Sequence, residues 1–476
     1  MRRAASPSAW SALQAAIAGE VILRDSGCYE AARKSAIARF HHVRPEAVVR
    51  CQTPRDVAET ISFARLTGLP TATRSGGHCF AGRSSSDGVV IDVTPMNAVT
   101  LSGGVARIGA GARLGDVYDS LNRHDLTIPA GSCPTVGIAG LTLGGGLGIL
   151  GRAYGLTSDH LLAAEVILAD GRIVECDDVH DCELFWALRG AGSGNFGVVT
   201  SFVFRTRAAS RATNFHLAWP YPRAAAVIDA WQAWAPAAPD ELYASLLLTA
   251  EGEVERPPTL DLFGSMLDSE HDAADLLDDF AVRAGSDPTT DVRKRMSPHE
   301  TTGYWATLGA ADRANRDDQR LPSTLEYPMF KSEFFRRPLP AEAIAALLAN
   351  LAGERVPGQS RELDFTPWGG AYNRMPEDAT AFVHRHERFS LKHTATVRSD
   401  SSQVAKDAAR RWLTQSWRTV RPWGTGRVFP NFPDPDLADW RHAYYGTNYP
   451  RLRRVKGSYD PADFFRFHQS LRAGSR

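Results

Sequence analysis

Apolar residues in the first 207 positions fall into short runs that alternate between strand-like and helix-like spacing. The run VVRCQ, ending at Gln52, reads as a strand, and a helical pattern, RDVAETISFARLTG, follows at once. Thr53 suits the N-cap, Pro54 the first helical position and Gly68 the C-cap. LPTATR, GVVIDVTPM and VARIGAGA read as further strands and RLGDVYDSLNRHD as a helix. Two β-rich runs flank Asp170-Gly171, a pair favoured in tight hairpin turns. Residues 1–207 are therefore expected to form an α+β domain with antiparallel hairpins rather than a regular βαβ repeat. From residue 208 the texture changes. Residues 224–235, 271–284 and 340–352 read as Ala/Leu-rich amphipathic helices, and YASLLLT, TLDLFGSML and FSLKHTATV as strands. That pattern predicts a second α+β domain, antiparallel with helices on one face. The last fifty residues return to aromatic, Gly- and Pro-rich chain that is expected to pack back on the first domain.

Composition narrows the function. At 476 residues the chain is long enough for two or three domains, and 43% hydrophobic with 23% charged residues is ordinary for a globular protein. Lys plus Arg and Asp plus Glu both number 54, so nothing steers the protein toward nucleic acid. No apolar run reaches the length of a membrane span. At the N-terminus Gln14 and Glu20 interrupt what could pass for a signal peptide after Arg2 and Arg3. That stretch reads instead as a short amphipathic helix, which suggests a cytoplasmic protein. The six cysteines include no C-x-x-C pair, so neither a metal site nor a disulfide framework is expected.

G-x-G-x-x-G occurs twice, as GLGILG (Gly146–Gly151) and GSGNFG (Gly192–Gly197). In a dinucleotide-binding fold it follows a strand and opens a helix. GSGNFG has the reverse context, between helix-like DCELFWALR and strand-like VVTSFVF, and GLGILG runs into the turn-rich RAYGLTSD. A Rossmann site is disfavoured. Glycine at this density means either tight turns and close chain crossings, or backbone amides brought against an anionic ligand. Two nucleophilic side chains lie in these small-residue loops, His78 and Cys133. Taken singly, each is as well explained as a hydrogen-bonded histidine or a buried thiol.

Taken together, RSGGHCFAG, AGSCPTVGIAGLTLGGGLGILGRAYGLTSDHLL, ELFWALRGAGSGNFGVVTSF and NFPDPDLADWRHAYYGTNYPRLRRVKGSYDP resemble the FAD-linked oxidases of the berberine bridge enzyme type, within the vanillyl-alcohol oxidase (PCMH-type) flavoprotein superfamily. The likeness is strong over about 30–207 and 428–470 and weak over 365–395. It implies a PCMH-type FAD-binding domain (1–207), an α+β substrate domain (208–425) and a C-terminal segment (426–476) completing the first. It also implies FAD bound covalently, through its 8α-methyl to His78 and through C6 to Cys133. Arg74, Ser75, Gly76 and Gly77 would form the loop whose amides meet the pyrophosphate. Cys79, Val136, Gly137, Gly140, Gly144, Gly145, Val198 and Asn431 would complete the cofactor site, with Val136 at the position that gates oxygen. Leu141 stands where some relatives carry a histidine.

The resemblance implies hydride transfer from a small organic substrate to the flavin and reoxidation by O2 to hydrogen peroxide. The protein would work as a monomer or homodimer, without metal, nucleic acid or membrane. Family oxidases commonly supply a base from a Tyr-x-Asn-Tyr pattern. Here the matching residues are Phe429, Pro430, Asn431 and Phe432, and neither aromatic carries a hydroxyl. Candidate proton acceptors are Tyr372, His384, His386, Lys392 and His393. Alternation along the strand from Phe389 sets Phe389, Leu391 and His393 on one face and Ser390, Lys392 and Thr394 on the other. Without the tyrosine, oxidation of an alcohol, amine or ring-forming C–H of a specialised metabolite is favoured over sugar oxidation. A dehydrogenase using another acceptor, or a flavin-bearing binding or resistance protein of low activity, are the alternatives.

Overall fold

The computed structural model describes residues 5–269, 271–311 and 326–474. Local signals set most of the first elements. The helix Pro54–Thr67 starts in a capping box, in which Thr53 accepts from the Asp56 amide and Asp56 reaches back to the Thr53 amide. It ends at Gly68, whose φ of +67° is the left-handed C-cap that glycine adopts at no steric cost. The N-terminal pattern forms the helix Pro7–Ala16, which packs Trp10 on Phe63; Arg2 and Arg3 lie outside the described residues.

Antiparallel hairpins account for a five-stranded sheet, ordered Val99–Ser102, Val105–Gly109, Val198–Arg205, Leu161–Ile167 and Ile173–Asp177, with the Asp170-Gly171 turn joining the last pair. A four-stranded sheet departs from that expectation. Ala47–Arg50 and Thr71–Arg74 both lie parallel to Val89–Asp92 between them, and only Glu20–Leu23 is antiparallel. The physical reason is the crossover through Pro54–Thr67, which carries the chain back to the starting end before the next strand.

Beyond residue 208 stands a seven-stranded antiparallel sheet. Its order is Thr290–Met296, Ala212–Ala218, Thr259–Leu267, Leu242–Ala250, Ser360–Pro367, Phe389–Arg398 and Glu326–Phe335. The helices Ala224–Trp234, Ala273–Ala284, Ala341–Ala352 and Gln403–Val420 bury their apolar stripes with one set of alternating strand residues, among them Leu246, Leu363, Phe389 and Leu391. The other face carries Tyr243, Ser245, Glu362, Asp364, Lys392 and Thr394, and looks toward the first unit.

The chain then returns. Val428, Tyr444, Tyr445, Leu452, Val455, Phe465 and Leu471 are buried in the same core as the N-terminal strands. Polar bonds fix this return: Tyr445 Oη donates to Ala191 O (3.0 Å), and the Leu471 amide to Asn195 Oδ1 (3.1 Å). The units on either side of the cleft are also clamped by buried arginines. Arg385 makes a two-pronged ion pair with Asp159 (2.8 and 2.7 Å), and Arg152 donates to the carbonyls of Leu242, Ala238 and Trp368. Among the described residues no helix is long and apolar enough to cross a membrane, and no cluster of metal-ligating side chains occurs.

Candidate active site

A cavity of about 620 Å³ lies between the two units. The His78 loop, residues 131–149, residues 192–199, the polar face of the seven-stranded sheet, and the C-terminal residues 429–433 and 465–469 all line it.

The His78 loop leaves the strand Thr71–Arg74 and is fixed from behind. Arg74 is buried and donates to the carbonyls of Ala32, Arg33 and Ser84, so its guanidinium braces the loop and does not line the cavity. Ser75 Oγ donates to Ala110 O at 2.7 Å. The glycines divide between the two explanations open from sequence. A Cβ on Gly76 would run into the Gly137 amide and one on Gly137 into Ser75 Oγ, so this pair is a close chain crossing. Gly144 makes room for the Asn431 side chain, and Gly145, at a φ of +108°, packs on Phe382. Gly140 differs: it lines the cavity, and a Cβ there would meet no described atom within 4 Å.

His78 and Cys133, 55 residues apart in sequence, both line this cavity. Thr135 joins them, with its Oγ1 3.1 Å from His78 Nε2 and 3.4 Å from Cys133 Sγ. Cys79, Val136, Gly137 and Leu141 share the wall, whereas Val198 is buried in a strand behind it. Asn431 Nδ2 donates to Leu141 O at 2.8 Å and ties the C-terminal segment to the Cys133 segment.

Three phenylalanine rings share the cavity. Phe80 lies 4.1 Å from Phe330 and 6.2 Å from Phe432, centroid to centroid. Lys392 Nζ sits 5.5 Å from the Phe432 centroid and 3.0 Å from Asp364. Tyr243, the only tyrosine on the cavity wall among the described residues, shares a hydrogen bond with Ser245 Oγ at 2.9 Å. Burial, then the charge of Asp364, raise the affinity of its phenol for its proton.

Of the candidate proton acceptors, only Lys392 reaches the cavity. Tyr372 is fully buried, stacked on Trp368 at 4.3 Å, and donates to Gly148 O at 2.8 Å, so it shapes the 146–151 loop. His384 is sealed between Phe334 and Phe382, where burial holds its pKa well below the ordinary histidine value. The His386 side chain is 60% exposed and lies 3.9 Å from Glu377. His393 lies on the helix side of the sheet, as alternation requires, with Nδ1 2.9 Å from Ser416 Oγ. Burial, with a smaller contribution from Lys331, pushes its pKa down to about 3 from 6.5.

His393 therefore stays neutral in the fold while the unfolded chain takes up a proton below pH 6.5. Its contribution to stability is complete above that pH and drains away as pH falls toward about 3. Denaturant unfolding at a series of pH values should show this slope, and His393→Gln should flatten it.

Sequence reasoning missed Asp364, Tyr243 and Thr135. Alternation in SRELDFTP would have set Glu362, Asp364 and Thr366 on one face, but which face met the cavity depends on the sheet's neighbours.

The lining fits a long ligand bearing phosphate. Arg83 and Ser85 line the cavity, with Arg83 Nε and Ser85 Oγ buried and without a hydrogen-bond partner among the described residues, and the Arg83 guanidinium stacks 4.4 Å from the Phe467 centroid. Polar donors, small residues, two nucleophiles and aromatic rings in one cavity are the groups a flavin dinucleotide and its substrate call for.

Comparison with known proteins agrees. The FAD binding domain model matches residues 45–177, and the model described as berberine and berberine like matches 428–472. The uncharacterized FAD-linked oxidoreductase YgaK of Bacillus subtilis (strain 168) is 33% identical, over 96% of this chain and 97% of its own. Aclacinomycin-N/aclacinomycin-A oxidase of Streptomyces galilaeus is 32% identical over 90% of this chain and 85% of its own. The solved structure of Physcomitrella patens BBE-like 1 superposes with a TM-score of 0.86 at 26% identity, covering 98% of this chain and all of that one (100%). With the fold, the two-unit cleft and the paired His78 and Cys133 loops in place, the chain belongs to the berberine bridge enzyme-like FAD-linked oxidases of the PCMH-type superfamily and is an FAD-dependent oxidoreductase.

Proposed function

We propose that this enzyme holds FAD by covalent bonds to both His78 and Cys133 and oxidises an alcohol, amine or ring-forming C–H of a bulky metabolite, with O2 as acceptor and hydrogen peroxide as product. The observation that carries this reading is the convergence of the two nucleophiles on one cavity wall, within reach of a single hydroxyl. Bound FAD supplies a hydride acceptor that dioxygen can reoxidise. The rest falls to the chain. Arg83, Ser85 and the amides of Ser75, Gly76 and Gly77 hold the phosphate end. Gly140 leaves space for the cofactor, and Asn431 keeps the C-terminal wall against it. Phe80, Phe330 and Phe432 present an apolar surface to the substrate.

The substrate's hydroxyl or amine proton must leave as the hydride does. Asp364, 3.0 Å from Lys392, is placed to accept it while the Lys392 ammonium donates a hydrogen bond to the reacting oxygen or nitrogen region. This pair faces the ring of Phe432, where the family's tyrosine hydroxyl would otherwise stand.

The test is the mass of the acid-denatured protein and of its proteolytic peptides. One FAD retained and bridging the His78 and Cys133 peptides is expected, and release of all FAD by acid would sink the covalent reading. Because a relative is an aclacinomycin oxidase, aclacinomycins head the substrate panel. Bleaching of the flavin with peroxide release in air is the expected response. Binding without bleaching would point to sequestration instead.

A further inference from the structure

Thr135 is the one residue whose side chain touches both nucleophiles among the described contacts, at 3.1 Å from His78 Nε2 and 3.4 Å from Cys133 Sγ. A hydroxyl has one proton to give and lone pairs that receive. It can therefore donate to only one of the two partners and must accept from the other. The protonation states of His78 and Cys133 are thereby linked through a single oxygen.

We take Nδ1, the ring nitrogen not turned to Thr135, as the one that bonds the flavin. For that bond Nε2 carries the ring's proton and donates it to Thr135 Oγ1. Once Nδ1 is bonded to carbon and the surplus proton has left, Nε2 is the remaining basic nitrogen, and it still faces Thr135. The thiol can then pass its proton to Oγ1 as Oγ1 passes its own to Nε2, which leaves a thiolate, the form of cysteine that attacks.

We propose, resting on the doubly covalent reading above, that Thr135 is a positioning residue that relays the Cys133 proton to flavin-bonded His78, so that the second tether forms with the help of the first. Each tether balances in the same way. One N–C or S–C bond forms, the attacked carbon and the nucleophile each give up a hydrogen, and the two electrons released reduce O2 to hydrogen peroxide. Each bond thus consumes one O2 and yields one H2O2.

The experiment follows attachment in time by peptide mass, using full-length protein produced under flavin limitation and then given FAD in air. Wild type should gain the His78 bond first and the Cys133 bond after it. Thr135→Val should still form the His78 bond and should form the Cys133 bond about tenfold or more slowly at neutral pH, since the thiolate rather than the thiol attacks. The deficit should shrink as pH rises, because hydroxide takes over the relay's part, and Thr135→Ser should restore the neutral rate. A merely structural threonine would produce no such pH dependence.

His78→Ala keeps Thr135 and removes the acceptor, and should slow the Cys133 bond to the same degree, with no further loss in the double variant. Equal Cys133 rates in wild type, Thr135→Val and His78→Ala would overturn the relay while leaving the covalent reading intact. A wild-type protein that gains no adduct at all would overturn both.

Discussion

The Lys392→Met enzyme is expected to keep its FAD and lose roughly two to four orders of magnitude in kcat, the usual size of a general acid–base contribution. The reasoning begins with what is missing: Phe432 and Phe429 carry no hydroxyl, and Tyr372, His384 and His393 are sealed in other parts of the fold. Lys392 and Asp364 are cross-strand partners in register, and both project into the cavity beside Phe432. Removing the ammonium takes away the proposed donor to the substrate's polar group and the 3.0 Å ion pair with Asp364. Flavin reduction measured anaerobically, with FAD content as the control, reads the chemical step alone. Asp364→Asn should fall in the same range, and unchanged reduction rates in both variants would exclude the pair from proton handling.

Arg385→Met should cost about 3–5 kcal/mol of stability, because it leaves a buried carboxylate without its counter-charge. Arg385 is fully buried and grips both oxygens of Asp159, whose side chain is 7% exposed and also accepts from the Leu156 amide. The arginine binds Tyr372 O and Thr380 Oγ1 as well, so it holds the 380–388 stretch of one unit against the 156–160 turn of the other. Urea unfolding should show a lower midpoint with little change in slope. The double variant with Asp159→Asn should lose less than the sum of the single losses, since the two act as one contact. A single-variant loss below about 1 kcal/mol, the range of an exposed pair, would show that water reaches this junction.

What sequence could reveal tracked how local the cause was. The helix Pro54–Thr67 was legible at both ends because its caps are chemical, and the face of Lys392 was legible because strand alternation is strict. The helix Gln403–Val420 was legible in principle too, since its buried positions Ala409, Trp412, Leu413, Ser416 and Val420 recur three or four residues apart on one face, although it is missing from the helices read from sequence above. The parallel pairing of the four-stranded sheet depends on where a crossover lands, which no run of residues states. At the site, His78 and Cys133 stood out through their motifs. Telling Lys392 from His384, His393 and Tyr372 required knowing which of them faces the cavity, and that is decided by tertiary neighbours such as Gly148 beside Tyr372, 224 positions away, and Ser416 beside His393.

The return of the C-terminal segment into the first core has a consequence for biosynthesis. The core from Phe215 to Val420 is contiguous in sequence and can close while the ribosome is still working. The first unit cannot, because Asn195 meets its partner Leu471 276 residues later, roughly a quarter of a minute to a minute at about 5–20 residues per second. During that interval the apolar surface awaiting Tyr444, Leu452 and Phe465 is open to solvent and to other nascent chains. The wall at Phe465–Gln469 is also the last part of the cavity to be made.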